Sequence, residues 1–305
     1  MHAHDSIGKN SLAFLGIGLM GRPMALRLLQ AGSMVHAWNR SPAKAEALRA
    51  AGATAHASAA DAVRGASVVI SMLESGAVVA AVMDAAIAAL SPGALWIDMS
   101  STGHAEALAL HARLAERGIA FVDAPVSGGV AGAEAGTLAI MAGGAIDDVA
   151  RAEPILAVLG RPTRVGPAGS GQVAKLCNQL IVGGTLSIVA EALLLAQAAG
   201  ADPAAVRNAI RGGFAESKIL DVHGQRMLDR NFMPGGQVKS QLKDLHNVLA
   251  AAADAGVHLP VAALVTGVYD SIASRHPQAD QSAALLALEL RNPGQRLGTG
   301  PDQLP

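Results

Sequence analysis

The stretch GSGQVAKLCNQLIVGG places Gly171, Lys175 and Asn178 at i, i+4 and i+7. In a helix those positions share one face. Val173, Ala174, Leu176 and Leu180 around them are apolar. A lysine in such surroundings can be desolvated, which lowers its pKa and lets it give and take a proton. Asn178 can donate to a hydroxyl or carbonyl held beside it, and Gly171 leaves space for a ligand to approach the backbone. Cys177 points to another side of the helix and reads as a packing residue. On pattern alone a solvated helical lysine without chemistry stays open.

A second constellation lies near the start of the chain. In FLGIGLMGRPMALRLLQAG, the run Gly16-Ile17-Gly18-Leu19-Met20-Gly21 fits G-x-G-x-x-G between a strand candidate and a helix candidate. Gly16 permits the tight turn, Gly18 lets a pyrophosphate reach the backbone, and Gly21 lets helix and strand pack closely. The helix start offers N–H groups and partial positive charge to the phosphates. This is the pattern of a dinucleotide site. The second strand candidate ends at Trp38, where an acid is expected to hold the ribose 2′-OH. Asn39, Arg40 and Ser41 stand there instead, with no acid before Glu46. A carboxylate would repel a 2′-phosphate, whereas a guanidinium pairs with it bidentately and the amide and hydroxyl donate to it. The site is therefore expected to hold NADP(H), with NAD(H) as the alternative.

The elements that must carry these residues follow from hydrophobic spacing. Short apolar runs at 12–15, 34–38, 67–72, 95–99 and 119–123 alternate with Ala-rich helical stretches. That rhythm predicts a parallel sheet covered on both faces. It continues less cleanly through 138–142, 149–159 and 163–165, and after Gly171 only helical spacing remains. The expected fold class is an α/β Rossmann-like N-terminal domain over 11–168, followed by an all-α domain over 169–295. Residues 1–10 and 296–305 are expected to be irregular.

Composition narrows the partners. The 305 residues carry a formal net charge of −1 and only 2% aromatics, which gives neither a basic footprint nor stacking platforms for nucleic acid. No run of about 18 uninterrupted apolar residues predicts a membrane span, and MHAHDSIGKN lacks the apolar stretch of a secretory signal. One cysteine excludes a disulfide within the chain and fits a reducing, cytoplasmic compartment. No HExxH or cysteine-rich pattern predicts a metal site, and His2 and His4 read as part of a frayed lead. The apolar stretches at 180–199 and 248–266 exceed what one helical bundle need bury, so a homodimer or homotetramer is expected.

Four blocks together are similar to one family. They are GIGLMGRPMALRLLQAG, DAPVSGGVAGAEAGTLAIMAGG (123–144), GQVAKLCNQL (171–180) and FMPGGQVKSQLKDL (232–245). Their order and content resemble the β-hydroxyacid dehydrogenases, which include 3-hydroxyisobutyrate dehydrogenases and tartronate semialdehyde reductases. The resemblance implies NAD(P)-dependent interconversion of a small 3-hydroxy acid and its semialdehyde, without a metal. It implies Lys175 as general acid/base, Asn178 holding the substrate, and Ser127, Gly128 and Gly129 binding the substrate carboxylate. Ser101 would lie near both nicotinamide and substrate. Met72 and Leu73 would line the cofactor, and Phe232 and Lys243 would reach it from the C-terminal domain. Two positions depart from the family pattern: Glu74 stands where proline is common, and Gly236 where phenylalanine is common. Alternatives are a tartronate semialdehyde reductase, an imine reductase, a class that lacks the catalytic lysine, and a cofactor-bound interaction module without catalysis.

Overall fold

The structure, a computed structural model, describes residues 11–305; the lead with His2 and His4 lies outside the described residues. The chain forms two compact units that divide between Lys175 and Leu176.

The first unit contains β1 (Ser11–Leu15), α1 (Gly21–Gln30), β2 (Met34–Trp38), α2 (Pro42–Glu46), β3 (Thr54–Ala55), α3 (Ala59–Val63), β4 (Val68–Ser71) and α4 (Gly76–Ala86). It continues through β5 (Leu95–Asp98), α5 (His104–Ala115), β6 (Ala120–Asp123), β7 (Val126–Ser127), α6 (Gly129–Ala135), β8 (Leu138–Gly143), α7 (Ile146–Leu159) and β9 (Gly160–Gly166). Among the described residues the strands form one sheet in the order β3-β2-β1-β4-β5-β6-β8-β7, with β9 on β8. Alternate strand residues feed two cores. Phe14, Ile70, Ile97 and Val122 pack with Met24 and Leu28 of α1 on one face. Leu15, Val69, Trp96 and Phe121 pack with Met83 and Leu110 on the other. Helices on both faces explain why VVIS and LWID are buried at every position.

The parallel expectation holds from β3 to β6 and then fails. β8 runs antiparallel to β6 and β7. Between β7 and β8 the chain holds only residues 128–137, with the short α6, which is too little for a parallel crossover of about a dozen residues or more. β9 is longer than the predicted 163–165 and tolerates Pro162 because it is exposed along much of its length. In the parallel part, Trp38, Leu15, Ser71, Asp98 and Asp123 are successive register partners at the strand ends. Open α/β sheets bind ligands beyond such carboxyl ends, where the strand order reverses. Here that reversal lies between β1 and β4.

Helix α8 (Ser170–Ala198) begins in the first unit and continues in the second, followed by α9 (Pro203–Ile210), α10 (Lys218–Leu228), α11 (Val238–Asp254), α12 (Pro260–Ala273) and α13 (Ala284–Arg291). Asp202 and Ser217 cap α9 and α10 through the N–H groups of Ala204 and Leu220. Leu186, Leu193, Met227, Leu245, Tyr269 and Leu285 fill the core of this unit. By length and composition α8 could cross a membrane, but half of its most apolar window is buried inside the protein. The C-terminal tail lacks regular structure yet is tied down. Buried Arg230 pairs with Glu289 and Asp302 and donates to the Leu297 carbonyl, and Phe232 N–H donates to the Gln303 carbonyl at 2.9 Å.

Candidate active site

The glycine turn is built as steric demand requires. Gly16 has φ +107°, and a Cβ on it would lie 2.3 Å from the Met72 carbonyl oxygen. A Cβ on Gly21 would lie 1.9 Å from the Gly16 carbonyl oxygen, so α1 can approach β1 only through glycine. Gly18 faces open space. Among the described residues the N–H groups of Gly18, Leu19 and Met20 have no acceptor. An open glycine, unsatisfied N–H groups and a helix start with no acid in its first turn fit a dinucleotide pyrophosphate. Met72 and Leu73 follow β4 directly beside this turn, and Leu73 N–H donates to Ser100 Oγ at 2.9 Å.

At the end of β2, Asn39 works on the turn itself. Its Oδ1 accepts the Ile17 N–H at 2.9 Å, and its Nδ2 donates to the Ser41 carbonyl at 3.1 Å. Ser41 stands at the start of α2 without a side-chain capping bond. Arg40 is exposed, with no hydrogen bond or ion pair among the described residues. The acid-free end of β2 thus presents a guanidinium to solvent.

The proton-transfer candidate sits elsewhere in the first unit. Lys175 is only 9% exposed, and its Nζ donates to the Val126 carbonyl at 3.0 Å. That carbonyl precedes Ser127, the half-buried end of β7, and the turn Gly128 (φ +140°) and Gly129 (φ +63°). Only glycine adopts both conformations without strain. Successive exposed N–H groups there suit a carboxylate. Ser101, half-buried, lies in the β5–α5 loop.

Gly171 does not leave space for a ligand. A Cβ there would lie 2.4 Å from the carbonyl oxygens of both Asp123 and Met141. The glycine lets the start of α8 pack against the strand ends, and sequence could not show which surface needed the room. Cys177 is likewise exposed rather than packed.

Two carboxyls buried behind the loops were missed from sequence. Asp98 Oδ1 accepts the Ser71 hydroxyl at 2.7 Å and the Ser100 N–H at 3.2 Å, while Oδ2 has no partner. Asp123 accepts the N–H groups of Gly169 and Gln172 at 2.7 and 2.8 Å. Burial pushes Asp98 up to about 6, against the opposing pull of the Ser100 and Ser71 bonds. Burial pushes Asp123 up to about 7, against the N–H groups of Gly169 and Gln172. Between about pH 4 and 6 both carboxyls therefore hold protons in the folded protein that the unfolded chain has already released. Their contribution to stability is full below about pH 4 and is lost as pH rises through about 6 and 7. Asp98→Asn is expected to flatten the fall of melting temperature between about pH 4 and 6 relative to the parent. Calorimetry across that range would contradict this if the two profiles ran parallel.

The second unit carries the remaining candidates. Asn178 Nδ2 donates to Gln179 Oε1 at 2.9 Å. Gln179 Nε2 in turn donates to Asp244 Oδ2 at 2.8 Å and to Gln241 Oε1 at 3.1 Å. Lys243 lies 3.3 Å from Asp244 Oδ1. The sequence singled out Asn178 and Lys243 but gave no signal for the glutamines between them. The ring of Phe232 is fully buried in the helical core, so its visible work is to anchor the loop that follows. Asp280 holds that loop, accepting the N–H groups of Gly235 and Gly236 at 3.1 Å each. Among the described residues no cluster of histidine, cysteine and acid side chains could hold a metal ion.

The chain is similar to known proteins over nearly its whole length. Residues 11–177 match the model of the NAD binding domain of 6-phosphogluconate dehydrogenase. Residues 169–288 match that described as NAD-binding of NADP-dependent 3-hydroxyisobutyrate dehydrogenase. The 2-hydroxy-3-oxopropionate reductase of Escherichia coli K12 is 38% identical, covering 92% of this chain and 97% of the relative. The solved Mycobacterium tuberculosis 3-hydroxyisobutyrate dehydrogenase with L-serine superposes with a TM-score of 0.84 at 34% identity, over 92% of this chain and 99% of that one. Psf3 in complex with NADP+ and 2-OPP gives a TM-score of 0.82 at 26% identity, over 91% and 99%. With matches spanning both units, the chain belongs to the β-hydroxyacid dehydrogenase family of NAD(P)-dependent oxidoreductases.

Proposed function

We propose that the protein interconverts a small 3-hydroxy acid and its semialdehyde, as a 3-hydroxyisobutyrate dehydrogenase does, with NADP(H) preferred over NAD(H). The observation that carries this reading is the buried Lys175 held on the carbonyl next to the Ser127-Gly128-Gly129 turn. A proton donor and a carboxylate seat lie side by side in one unit. When bound, the nicotinamide supplies or takes the hydride. Ser127 Oγ and the N–H groups of Gly128 and Gly129 hold the substrate carboxylate. Lys175 donates to the carbonyl oxygen in reduction and takes the proton back in oxidation. The Val126 carbonyl aims its ammonium, which carries three N–H donors. Asn178, one turn along α8, orients the reacting oxygen, and Ser101 does so from the β5–α5 loop.

The size of the substrate separates this reading from its nearest alternative, reduction of tartronate semialdehyde. The Escherichia coli relative bears that activity in its name, 2-hydroxy-3-oxopropionate reductase. Pocket differences of one group are worth about 1–3 kcal/mol. Rates with NADPH and NADH against short semialdehyde acids test the reading. Turnover of the acids supports it, and cofactor binding without turnover of any of them contradicts it.

The protein is further read as a cytoplasmic homodimer. Cys177, Ile181, Ile188 and Leu195 share one face of α8, and the three large side chains are 65, 63 and 69% exposed. Such a stripe at heptad spacing matches a second helix of the same kind. Light scattering is expected to give a dimer, or a tetramer built from dimers, and Ile188→Lys is expected to yield monomers. A monomeric parent protein contradicts this.

A further inference from the structure

Gln172 is fully buried in the first turn of α8, and both ends of its amide are engaged. Nε2 donates to the Ser100 carbonyl at 2.8 Å, and Oε1 accepts the Thr102 N–H at 3.0 Å. The two bonds bracket Ser101, gripping the backbone on either side as a neighbouring strand would. The N–H of Gln172 is held at 2.8 Å by Asp123 Oδ2, whose Oδ1 takes the Gly169 N–H. Lys175 stands three residues further along the helix, with its Nζ on the Val126 carbonyl. One helical turn therefore ties together the loop of Ser101, the end of β6 and the strand that leads into Ser127.

We propose that Gln172 is a positioning residue that fixes Ser101 against Lys175, a role that rests on Lys175 being the proton donor. Asp123 anchors the start of α8 through two N–H groups without the Gln172 side chain, and an apolar side chain of equal length would fill the same space. What the amide adds is a donor and an acceptor at fixed spacing, matched to the two peptide groups around Ser101. Loss of that match shifts Ser101 relative to the ammonium. A misplacement of about 1 Å at a reacting centre costs on the order of 10²-fold in rate.

Two substitutions test this. Gln172→Met keeps the volume and removes both bonds. Gln172→Glu keeps both bonds only while protonated, because its O–H then donates to the Ser100 carbonyl and its C=O accepts from Thr102. Burial raises the pKa of such a glutamic acid. The titratable groups on the surrounding elements are Asp98 on β5, Asp123 on β6, His104 and Glu106 on α5, and Lys175 on α8. All are present in the parent protein, so the ratio of variant to parent at each pH removes their effect.

For Gln172→Met, kcat is expected to fall about 10²-fold at every pH, with KM for the semialdehyde and NADPH affinity little changed. Gln172→Glu is expected near parent activity at about pH 6 and to fall toward the methionine variant as pH rises and the carboxyl ionises. A methionine variant close to the parent, or a glutamate variant whose ratio does not change with pH, would overturn the proposal. If the parent turns over no semialdehyde acid, the functional reading fails separately. Acylation of Lys175, followed by peptide mass spectrometry, then decides the positioning role. It is expected to be severalfold faster in Gln172→Met while Lys218 and Lys239 react as before, and an unchanged Lys175 rate would overturn it.

Discussion

Lys175→Arg and Lys175→Met are each expected to lower kcat by about 10³-fold while leaving cofactor affinity intact. The two variants separate charge from proton transfer. Arginine keeps a cation beside the Val126 carbonyl but holds its proton at any working pH. Methionine removes both charge and proton and fills most of the volume, avoiding the void an alanine would leave at this buried position. If the lysine only anchored the carboxylate, arginine would restore most of the activity and KM would carry the loss. If it moves the proton, kcat falls in both and KM stays within a small factor. Cofactor fluorescence titration alongside the kinetics checks that the glycine turn is undisturbed.

Arg40 is the second position where a large effect is expected. Arg40→Ala should raise KM for NADPH by roughly 10- to 10²-fold and leave the kinetics with NADH nearly unchanged, since a charge-assisted bond to phosphate is worth about 1.5–3 kcal/mol. Arg40→Asp should go further and favour NADH, because a carboxylate at the end of β2 accepts from the 2′-OH and repels the 2′-phosphate. The exposed guanidinium makes this a clean substitution: among the described residues it holds no other group in place. Asn39 is a poorer target, because its amide braces Ile17 in the glycine turn and its loss would disturb either cofactor. A parent enzyme that prefers NADH, or an Arg40→Ala variant with unchanged NADPH kinetics, contradicts the assignment.

The parts that could be read from sequence are those whose cause is local. Gly16 and Gly21 announce themselves because the turn and the helix approach admit no Cβ. Lys175 is different: its apolar neighbours leave a solvated lysine open, and its role comes from the family resemblance. Strands β1, β2, β4, β5 and β6 were legible from short apolar runs broken by glycine and helix, whereas the two-residue β3 is too short to show such a run. What escaped depends on partners far along the chain. Gln172 meets its acceptor and donor 72 and 70 residues away, and Asp123 meets Gly169 across 46. A glutamine in an apolar helix start and an aspartate at a strand end carry no such information in their spacing. The reversal at β7 and β8 escaped because run length does not encode strand direction. Gly171 was assigned room for a ligand when the room is taken by two backbone carbonyls. Phe232 belongs to a block that the family resemblance ties to the cofactor, yet its ring packs in the helical core.

The most direct test of the central claim compares short aldehydes that carry a free carboxylate with their methyl esters, using NADPH and the unmodified protein. The Ser127–Gly129 turn and Lys175 together predict that esterification lowers kcat/KM by at least about 10²-fold, the effect of leaving a site built for an anion without its charged partner. Equal rates for acid and ester, or turnover confined to uncharged carbonyls and imines, would contradict the account.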